Sequence, residues 1–323
     1  MTTRLREHPL AVDAALLAVV VMWASTFSLF KVAWHDMDPV AFTAVRFAAM
    51  VLFSLALLAG AKNRVRPRRE DLPWLIASGL TGFFVYQMGF VLGLDRTTAV
   101  ASAILIATHP IFSVVFAWTL GRERPTAGQV AGVVVGFLGV VVFLRVWDAV
   151  ATAKLGDLLS LVGAAGFGAY GLINQPLTRR YPSRELMAYG LATGGVLIAL
   201  VGIPAMVRQD WGAVGGTSWL ILVYAIVGPV YLAYALWNWA IKRRGIARTV
   251  PYGFLVPVLA AALAVVGLGE HVRPEQAAGA LLVVAGLVVT RLAGRTPPTE
   301  APAEAVLEDT YERSRLSGPN PSS

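Results

Sequence analysis

The chain has 323 residues, of which 57% are hydrophobic and 14% are charged, and its mean hydropathy is +0.66. Because about a quarter of the residues in an ordinary soluble domain are charged, this composition excludes a mainly soluble protein and indicates that a lipid bilayer surrounds most of the chain. The net charge of +8 would suit nucleic acid, but the positions of the basic residues favour a membrane-topology signal instead. The chain has no cysteine, which excludes disulfides, thiol nucleophiles and thiolate metal sites.

Apolar runs that are long enough to cross the hydrocarbon core follow one another along the chain. The first begins with basic residues, as a signal peptide does, but it continues to Phe30 without a small-residue cleavage site and is predicted to be a membrane span. The predicted spans are residues 11–30, 39–60, 73–93, 98–120, 127–146, 155–175, 185–206, 217–240, 247–268 and 275–292. We therefore predict an all-α membrane protein with ten transmembrane helices.

The two halves of the chain resemble each other. When THPIFSVVFAWTLGRERPTAG is aligned with LVPVLAAALAVVGLGEHVRPEQ, Pro110 pairs with Pro257 and Glu123 with Glu270, and each pair is 147 residues apart. Because five is an odd number of spans, the first unit ends on the opposite side of the membrane from where it began, and the second unit enters from that side. Such inverted repeats are typical of secondary transporters, whose solute site lies near the midplane. We predict a first repeat over residues 1–147, a second, inverted repeat over 148–293 and a disordered cytoplasmic tail over 294–323.

Basic residues are concentrated in every second segment between spans: KNRVRPRR after the second, GRER after the fourth, TRRYPSR after the sixth and KRRG after the eighth. Since cytoplasmic loops carry the excess of Lys and Arg, this pattern predicts that both termini lie in the cytoplasm. The basic charge is thereby explained without a nucleic-acid partner. Arginine greatly outnumbers lysine and Ala, Gly and Val dominate, which indicates a bacterial source and hence the bacterial inner membrane.

The stretch ILIATHPIFSVV places His109 and Pro110 inside the fourth span. Pro110 has no N–H, so the carbonyl of Ile106 loses its helical donor, and in lipid that carbonyl needs a polar neighbour or water. Pro257 has the equivalent place in the second repeat, where Val256 replaces the histidine. We predict that both prolines break their helices beside a polar cavity, and that His109 faces this cavity or carries protons; the alternative is a histidine that only fixes helix packing.

Arg46 lies about seven residues into the second span, and Lys31 lies near the outer end of the first. A fixed positive charge in a dry cavity would attract a carboxylate on the solute, whereas the alternative is that both side chains reach outward along the apolar surface. No acidic residue lies at a comparable depth, so the expected partner of Arg46 is the solute or a cluster of backbone carbonyls.

Aromatic and amide side chains at a similar depth complete the candidate solute path. They are Trp23, Tyr86, Gln87, Tyr170, Tyr231, Tyr234, Trp237 and Asn238. Buried amides need hydrogen-bond partners, which an aqueous path supplies; the alternatives are interfacial anchoring for Trp237 and ordinary packing for Tyr170 and Tyr231.

Matched residues at the span ends and in the fifth and tenth spans have structural interpretations. Glu123 and Glu270 are expected to cap the helices that follow them. Small residues favour close helix contact, within the chain or in a homodimer; here they are Gly132, Gly136, Gly139, Gly279 and Gly286.

Several motifs in this order resemble the drug/metabolite transporter superfamily, EamA type, over roughly residues 11–292. The likeness rests on WASTFSLFK, DPVAFTAVRFAAMVL, GLDRTTAVASAILIATHPIF, TLGRERPT, GLGEHVRP and AYALWNWAIKRRGIARTVPY, although GRE departs from the family's glycine–glutamate pair. The resemblance implies a carrier that exports or exchanges small metabolites, amino-acid-like solutes or drugs by alternating access, without ATP hydrolysis or a cofactor.

Other function classes fit the sequence less well. The four histidines are scattered and form no HExxH motif, and no GxxxxGK[ST] phosphate loop occurs, which disfavours a zinc enzyme and an ATP-driven pump. A membrane-embedded enzyme, or a receptor or structural protein without transport activity, remains the alternative, although the loops are short for a partner-binding region. No catalytic or metal-binding residue is predicted.

Overall fold

The computed structural model describes residues 9–62, 64–120, 125–145, 155–178, 180–244, 252–253 and 255–293, and every regular element in these ranges is helical. The predicted boundary between the repeats and the predicted tail over 294–323 lie outside the described residues.

The helices follow the apolar runs of the sequence. In chain order the long helices are α1 (Pro9–Ala33), α2 (Pro39–Ala59), α3 (Arg69–Arg96), α4 (Ala99–Thr119), α5 (Ala127–Leu144), α6 (Leu155–Leu177), α7 (Ser183–Val201), α8 (216–244), α9 (Leu255–Leu268) and α10 (Pro274–Ala293). A short helix, Ile203–Arg208, follows α7. Within the described ranges, seven of the long helices are long and apolar enough to cross a membrane, and the apolar parts of α5, α8 and α9 are shorter. The all-helical prediction is therefore confirmed for the described residues. Each predicted span overlaps an apolar helix there, residues 247–251 of the ninth lie outside the described residues, and the count of ten membrane-crossing helices stays a prediction.

The outer surface of the bundle is apolar. Large aliphatic side chains lie almost fully exposed, such as Val207 at 79%, Leu220 at 73% and Val266 at 87%. A monomeric soluble protein rarely exposes apolar patches of this extent, so this surface is suited to contact with lipid tails.

Two helices contain a π-helical turn at equivalent places in the repeats. The turn Leu80–Val85 in α3 and the turn Val227–Leu232 in α8 begin 147 residues apart, which is the spacing of the sequence repeat. A third π-helical turn, Leu191–Gly195, lies in α7. Such turns are common at functional sites because they leave backbone groups without their regular helical partners.

Glycines bring α5 and α10 into backbone contact. A Cβ atom on Gly286 would lie 2.4 Å from the nitrogen of Gly136 and 2.6 Å from the carbonyl oxygen of Gly132. A Cβ atom on Gly139 would lie 2.9 Å from the carbonyl oxygen of Gly279. The glycines predicted to form a close helix contact therefore do so within the chain, and these faces are not available to a second copy.

Other contacts between helices recur when each helix of one half is replaced by its equivalent in the other half, α1 by α6, α2 by α7 and so on. Helix α1 packs against α8 and α9, and correspondingly α6 packs against α3 and α4. The contacts α2–α7, α4–α9 and α5–α10 each map onto themselves when the halves are exchanged. The packing thus agrees with a two-repeat architecture.

A polar contact, which we call the first latch, joins two loops at the end of the bundle that holds the α1–α2 loop. Asp36 in that loop accepts hydrogen bonds from the backbone N–H of Gly215, at 2.6 Å, and from the hydroxyl of Ser218. Gln209 also donates to the carbonyl oxygen of Asp36 at 3.0 Å. The α1–α2 loop is thereby tied to the start of α8.

The second latch lies at the opposite end of the bundle. The phenol of Tyr181, in the α6–α7 loop, accepts a hydrogen bond from the backbone N–H of Arg68 at 3.0 Å and donates one to Asp71 at 2.7 Å. The other oxygen of Asp71 accepts a hydrogen bond from Arg180. The α6–α7 loop is thereby tied to the start of α3.

The two latches occupy equivalent places in the repeats, but the carboxylate comes from the opposite partner in each. Arg68 and Asp71 precede Gly215 and Ser218 by 147 residues. In the first latch the loop supplies the carboxylate, whereas in the second latch the start of the helix supplies it.

Asp36 in the first latch and the phenol of Tyr181 in the second keep their protonation states at neutral pH. The hydrogen bond from Ser218, followed by that from Gly215, lowers the pKa of Asp36 below its ordinary value of 3.8. Burial raises the pKa of Tyr181 above its ordinary value of 10.0. The carboxylate contact is lost only as the pH falls through the lowered pKa of Asp36, and the phenol donor only as the pH rises through the raised pKa of Tyr181. Neither Asp36 nor Tyr181 therefore acts as a pH switch near pH 7.

Candidate functional site

Arg46 carries a buried charge in the interior of the bundle. On α2, its side chain is 4% exposed, and its Nη2 donates to Oε1 of Gln87 on α3 at 2.7 Å. The guanidinium carbon lies 5.0 Å from the ring centroids of both Phe30 and Phe47. The amide and the two ring faces offset part of the desolvation of the charge. The Nε of Arg46 is buried and finds no acceptor among the described residues, so one donor of the guanidinium is unused.

Three aromatic rings from α1 and α8 form one face, which we call the Trp23 face. Trp23 lies 5.8 Å from Tyr234 and 5.2 Å from Trp237, measured between ring centroids. Its Nε1 donates at 2.9 Å to the carbonyl oxygen of Pro229, which belongs to the π-helical turn of α8. The irregular turn thus positions the indole of α1 against the second repeat.

A second aromatic group includes Tyr86 and His109. The ring of Phe167 on α6 lies 4.7 Å from Tyr86, 4.8 Å from the imidazole of His109 and 5.6 Å from Tyr170. The hydroxyl of Tyr170 accepts a hydrogen bond from Asn174 at 3.2 Å. The imidazole of His109 makes no hydrogen bond to any side chain in the part of the chain that the structure describes.

Tyr86 connects these groups into one site. It lies near both Arg46 and Tyr234 and directly precedes Gln87. The structure therefore brings together Arg46, Gln87, Tyr86 and the Trp23 face, from α1, α2, α3 and α8, and places His109 beside them across Phe167. A buried cation surrounded by aromatic rings can bind a carboxylate, and the rings can hold an apolar or cationic group next to it.

The predicted helix breaks lie at helix starts. Helix α4 is interrupted at Ala107 and Thr108, so Pro110 lies in the first turn of its second segment, where a missing N–H removes no helical hydrogen bond. Pro257 is buried in the first turn of α9 as described. His109 is the first residue of the second segment of α4 and therefore lies directly at the interruption.

The other predicted path residues lie elsewhere. Lys31 lies in the last turn of α1 and lines a cavity at the end of the bundle that holds the first latch. The hydroxyl of Tyr231 donates to the carbonyl oxygen of Met50 at 3.0 Å and pairs with Ser54 at 2.8 Å, so it fastens α8 to α2. The side chain of Asn238 lies outside the described part of α8.

Glu270 has a different role from the predicted one. Its carboxylate accepts hydrogen bonds from the backbone N–H groups of Ala99, at 2.7 Å, and Val100, at 3.0 Å. It therefore caps α4 of the other half of the chain, and the expectation that it caps the following helix, α10, was wrong. The first N–H groups of both helices need a hydrogen-bond acceptor, but the tertiary fold brings the start of α4 within reach of the Glu270 carboxylate. The matched Glu123 lies outside the described residues.

Comparison with known proteins shows what this chain is similar to. It is 32% identical over 291 residues to a protein of Streptantibioticus cattleyicolor named "Probable terminal-alkyne amino-acid exporter", covering 89% of this chain and 96% of that protein. It is 26% identical to a Salmonella typhimurium protein named "Probable amino-acid metabolite efflux pump", covering 84% of this chain and 92% of that protein. A solved crystal structure with 24% identity shares the fold with a TM-score of 0.57, covering 90% of this chain and all of that one.

The profile of the EamA-like transporter family matches the chain twice, over residues 10–145 and 154–292. This confirms the resemblance inferred from the motifs and the presence of two repeats. With its apolar helices, the protein is a multi-pass membrane transporter, and the chain belongs to the EamA-like transporter family.

Proposed function

We propose that the protein is a ten-span carrier that exports small, amino-acid-like solutes across the bacterial cytoplasmic membrane, with both termini in the cytoplasm and no catalytic role. The names of the relatives support export as the direction of transport and amino-acid-like compounds as the class of solute. The two profile matches support repeats over residues 1–147 and 148–293, and the basic residues of alternate loops support the orientation.

The observation that carries this proposal is the buried guanidinium of Arg46 with its unused Nε donor. The carboxylate of an amino acid would form charge-assisted hydrogen bonds with it, which are about twice as strong as neutral ones. The ammonium group of the same solute would lie against the faces of Trp23, Tyr86 and Tyr234, where cation–π attraction replaces part of its hydration. The site would thus recognise both ends of a zwitterion without an acidic residue.

The latches support transport by alternating access. The first latch ties a loop of the first repeat to α8 of the second, and the second latch ties a loop of the second repeat to α3 of the first. When the two halves rock about the Arg46 site, opening toward one side of the membrane requires that side's latch to release while the other stays formed.

We expect the latches to respond reciprocally to mutation. Tyr181→Phe removes the hydroxyl that donates to Asp71 and accepts from the N–H of Arg68. Two hydrogen bonds are together worth about 1–3 kcal/mol, which shifts the balance between the two open states by roughly 5- to 150-fold. Hydrogen exchange should become faster at residues 64–71 and slower at 209–218, and Ser218→Ala should produce the opposite change. If each variant affects only its own end of the bundle, the latches are independent and do not report alternating access.

A proton is the proposed exchange ion, and His109 is its proposed carrier, because its imidazole packs against Phe167 and makes no side-chain hydrogen bond among the described residues. An inward proton gradient should accelerate export by the unmodified protein, and His109→Gln should remove this response while leaving downhill transport. His271→Gln, in an exposed loop, is the matched control and should keep the response. A gradient response that persists in His109→Gln would exclude His109 as the carrier and leave the solute's own gradient as the driving force.

Counterflow in proteoliposomes tests the function itself. Liposomes with the purified protein are loaded with unlabelled amino acid, and entry of labelled L-leucine, L-phenylalanine or a terminal-alkyne amino acid is measured from outside. A carrier gives transient accumulation above protein-free liposomes, whereas a receptor or a membrane-embedded enzyme gives none. Absence of accumulation for every amino acid tested would refute the proposed solute class.

A further inference from the structure

The cavity that Lys31 lines, which we call the vestibule, lies at the end of the bundle that the proposed orientation places in the periplasm. It measures about 360 Å³, within the range of small-molecule sites. It lies at the ends of α1, α3 and α9 and is lined by Lys31, Trp34, His35, Asp95, Leu268 and Glu270. Its wall therefore combines an ammonium group, two carboxylates and apolar surface.

A layer of aromatic rings separates the vestibule from the Arg46 site. The ring of Phe30 is fully buried; its centroid lies 5.0 Å from the guanidinium carbon of Arg46 and 5.9 Å from the ring of Trp34, which lines the vestibule. Phe42 reinforces this layer at 5.0 Å from Phe30 and 6.4 Å from Trp34. The vestibule is therefore a distinct compartment that lies one ring away from the central site.

Glu270, Asp95 and Trp34 keep hydrogen-bonding capacity at the vestibule. Both oxygens of Glu270 are held by the amides of Ala99 and Val100, which fix the carboxylate, but each oxygen retains a second lone pair. Asp95 forms an exposed ion pair with Arg96 at 3.2 Å, and such pairs contribute little. The Nε1 of Trp34 is buried and has no acceptor in the described ranges, which a built protein interior rarely tolerates.

We propose that the vestibule is a second solute site, which holds a zwitterionic amino acid between its passage of the Phe30 layer and its release. Lys31 and the indole N–H of Trp34 bind the carboxylate, and Asp95 and Glu270 bind the ammonium group. This inference rests on the proposed function for its class of solute. A phosphatidylethanolamine headgroup carries the same pair of charges and is the competing source of such a ligand.

Binding stoichiometry tests the proposal. Equilibrium dialysis of radiolabelled L-leucine is measured with the full chain in nanodiscs of phosphatidylglycerol, which lacks an ammonium group. We expect two leucines per chain for the unmodified protein and one each for Lys31→Met and Arg46→Met. Lys31→Arg should restore the second site, and Asp95→Asn should raise its dissociation constant at least tenfold.

The contrary outcomes separate the two proposals. A single leucine that is lost in Arg46→Met and kept in Lys31→Met would overturn the vestibule site and leave the proposed function standing. A single leucine that is lost in Lys31→Met and kept in Arg46→Met would support the vestibule and overturn the Arg46 site. No binding in any sample would refute both. If two leucines bind in phosphatidylglycerol but only one in phosphatidylethanolamine nanodiscs, the vestibule belongs to the lipid headgroup and the solute site is refuted.

Discussion

Replacing Arg46 with methionine is expected to reduce amino-acid counterflow by about 10- to 100-fold, which corresponds to the loss of a charged hydrogen bond of about 1.5–3 kcal/mol. Methionine retains an unbranched apolar side chain between Phe30 and Phe47, so the packing of the buried site is largely kept. The loss therefore falls on recognition of the solute carboxylate. Initial counterflow rates at solute concentrations below saturation, per amount of reconstituted protein, measure the effect.

Two variants control for this prediction. Arg96→Met removes an exposed guanidinium that pairs only weakly with Asp95, and its counterflow should stay within about twofold of the unmodified rate. Arg46→Lys retains the charge without the planar fork and should recover only part of the rate. If Arg46→Met transports as fast as Arg96→Met, the central site does not bind the solute through this residue.

Replacing Gly286 with alanine is expected to lower the thermal unfolding temperature by several degrees. The added Cβ atom would lie 2.4 Å from the nitrogen of Gly136 and 2.6 Å from the carbonyl oxygen of Gly132. Both are backbone atoms, so α5 and α10 must move apart, and overpacking of this kind costs about 1–3 kcal/mol or more. Thermal unfolding of the purified protein in detergent, followed by tryptophan fluorescence, measures the effect.

Gly267 provides the matched control in α9. It is the penultimate residue of the helix, where a Cβ atom meets no heavy atom within 4 Å and alanine has the higher helix propensity. The unfolding temperature of Gly267→Ala should be unchanged or higher. Equal unfolding temperatures for Gly286→Ala and Gly267→Ala would contradict the close backbone contact between α5 and α10.

Much of the fold could be predicted from the sequence because lipid permits few structures. A membrane-spanning backbone must satisfy its hydrogen bonds within helices, so apolar runs of sufficient length report the helices directly. The spacing of 147 residues, found from Pro110 and Pro257, recurs in the π-helical turns of α3 and α8 and in the two latches. The repeat thus extends in the structure to residue pairs that have no sequence similarity.

The neighbours of individual side chains could not be predicted in the same way. Hydropathy gives the depth of a residue in the membrane but neither its direction around the helix nor the helix beside it. The pairing of Arg46 with Gln87 joins residues 41 positions apart on different helices. The sequence placed both within the membrane but left open whether Arg46 faces a cavity or reaches outward. Lys31 proved to line the vestibule, and the carboxylate of Glu270 to cap α4. These positions follow from helix packing.

Cysteine labelling tests most directly the central claim that two inverted copies of one unit enclose the Arg46 site. The natural chain has no cysteine, so Ala127→Cys and Pro274→Cys each introduce a single thiol at exposed, equivalent helix starts 147 residues apart. In intact cells, a membrane-impermeant maleimide should label position 274 at once and position 127 only after the membrane is permeabilised. Labelling of both positions from the same side would contradict the inversion and, with it, the carrier mechanism built on it.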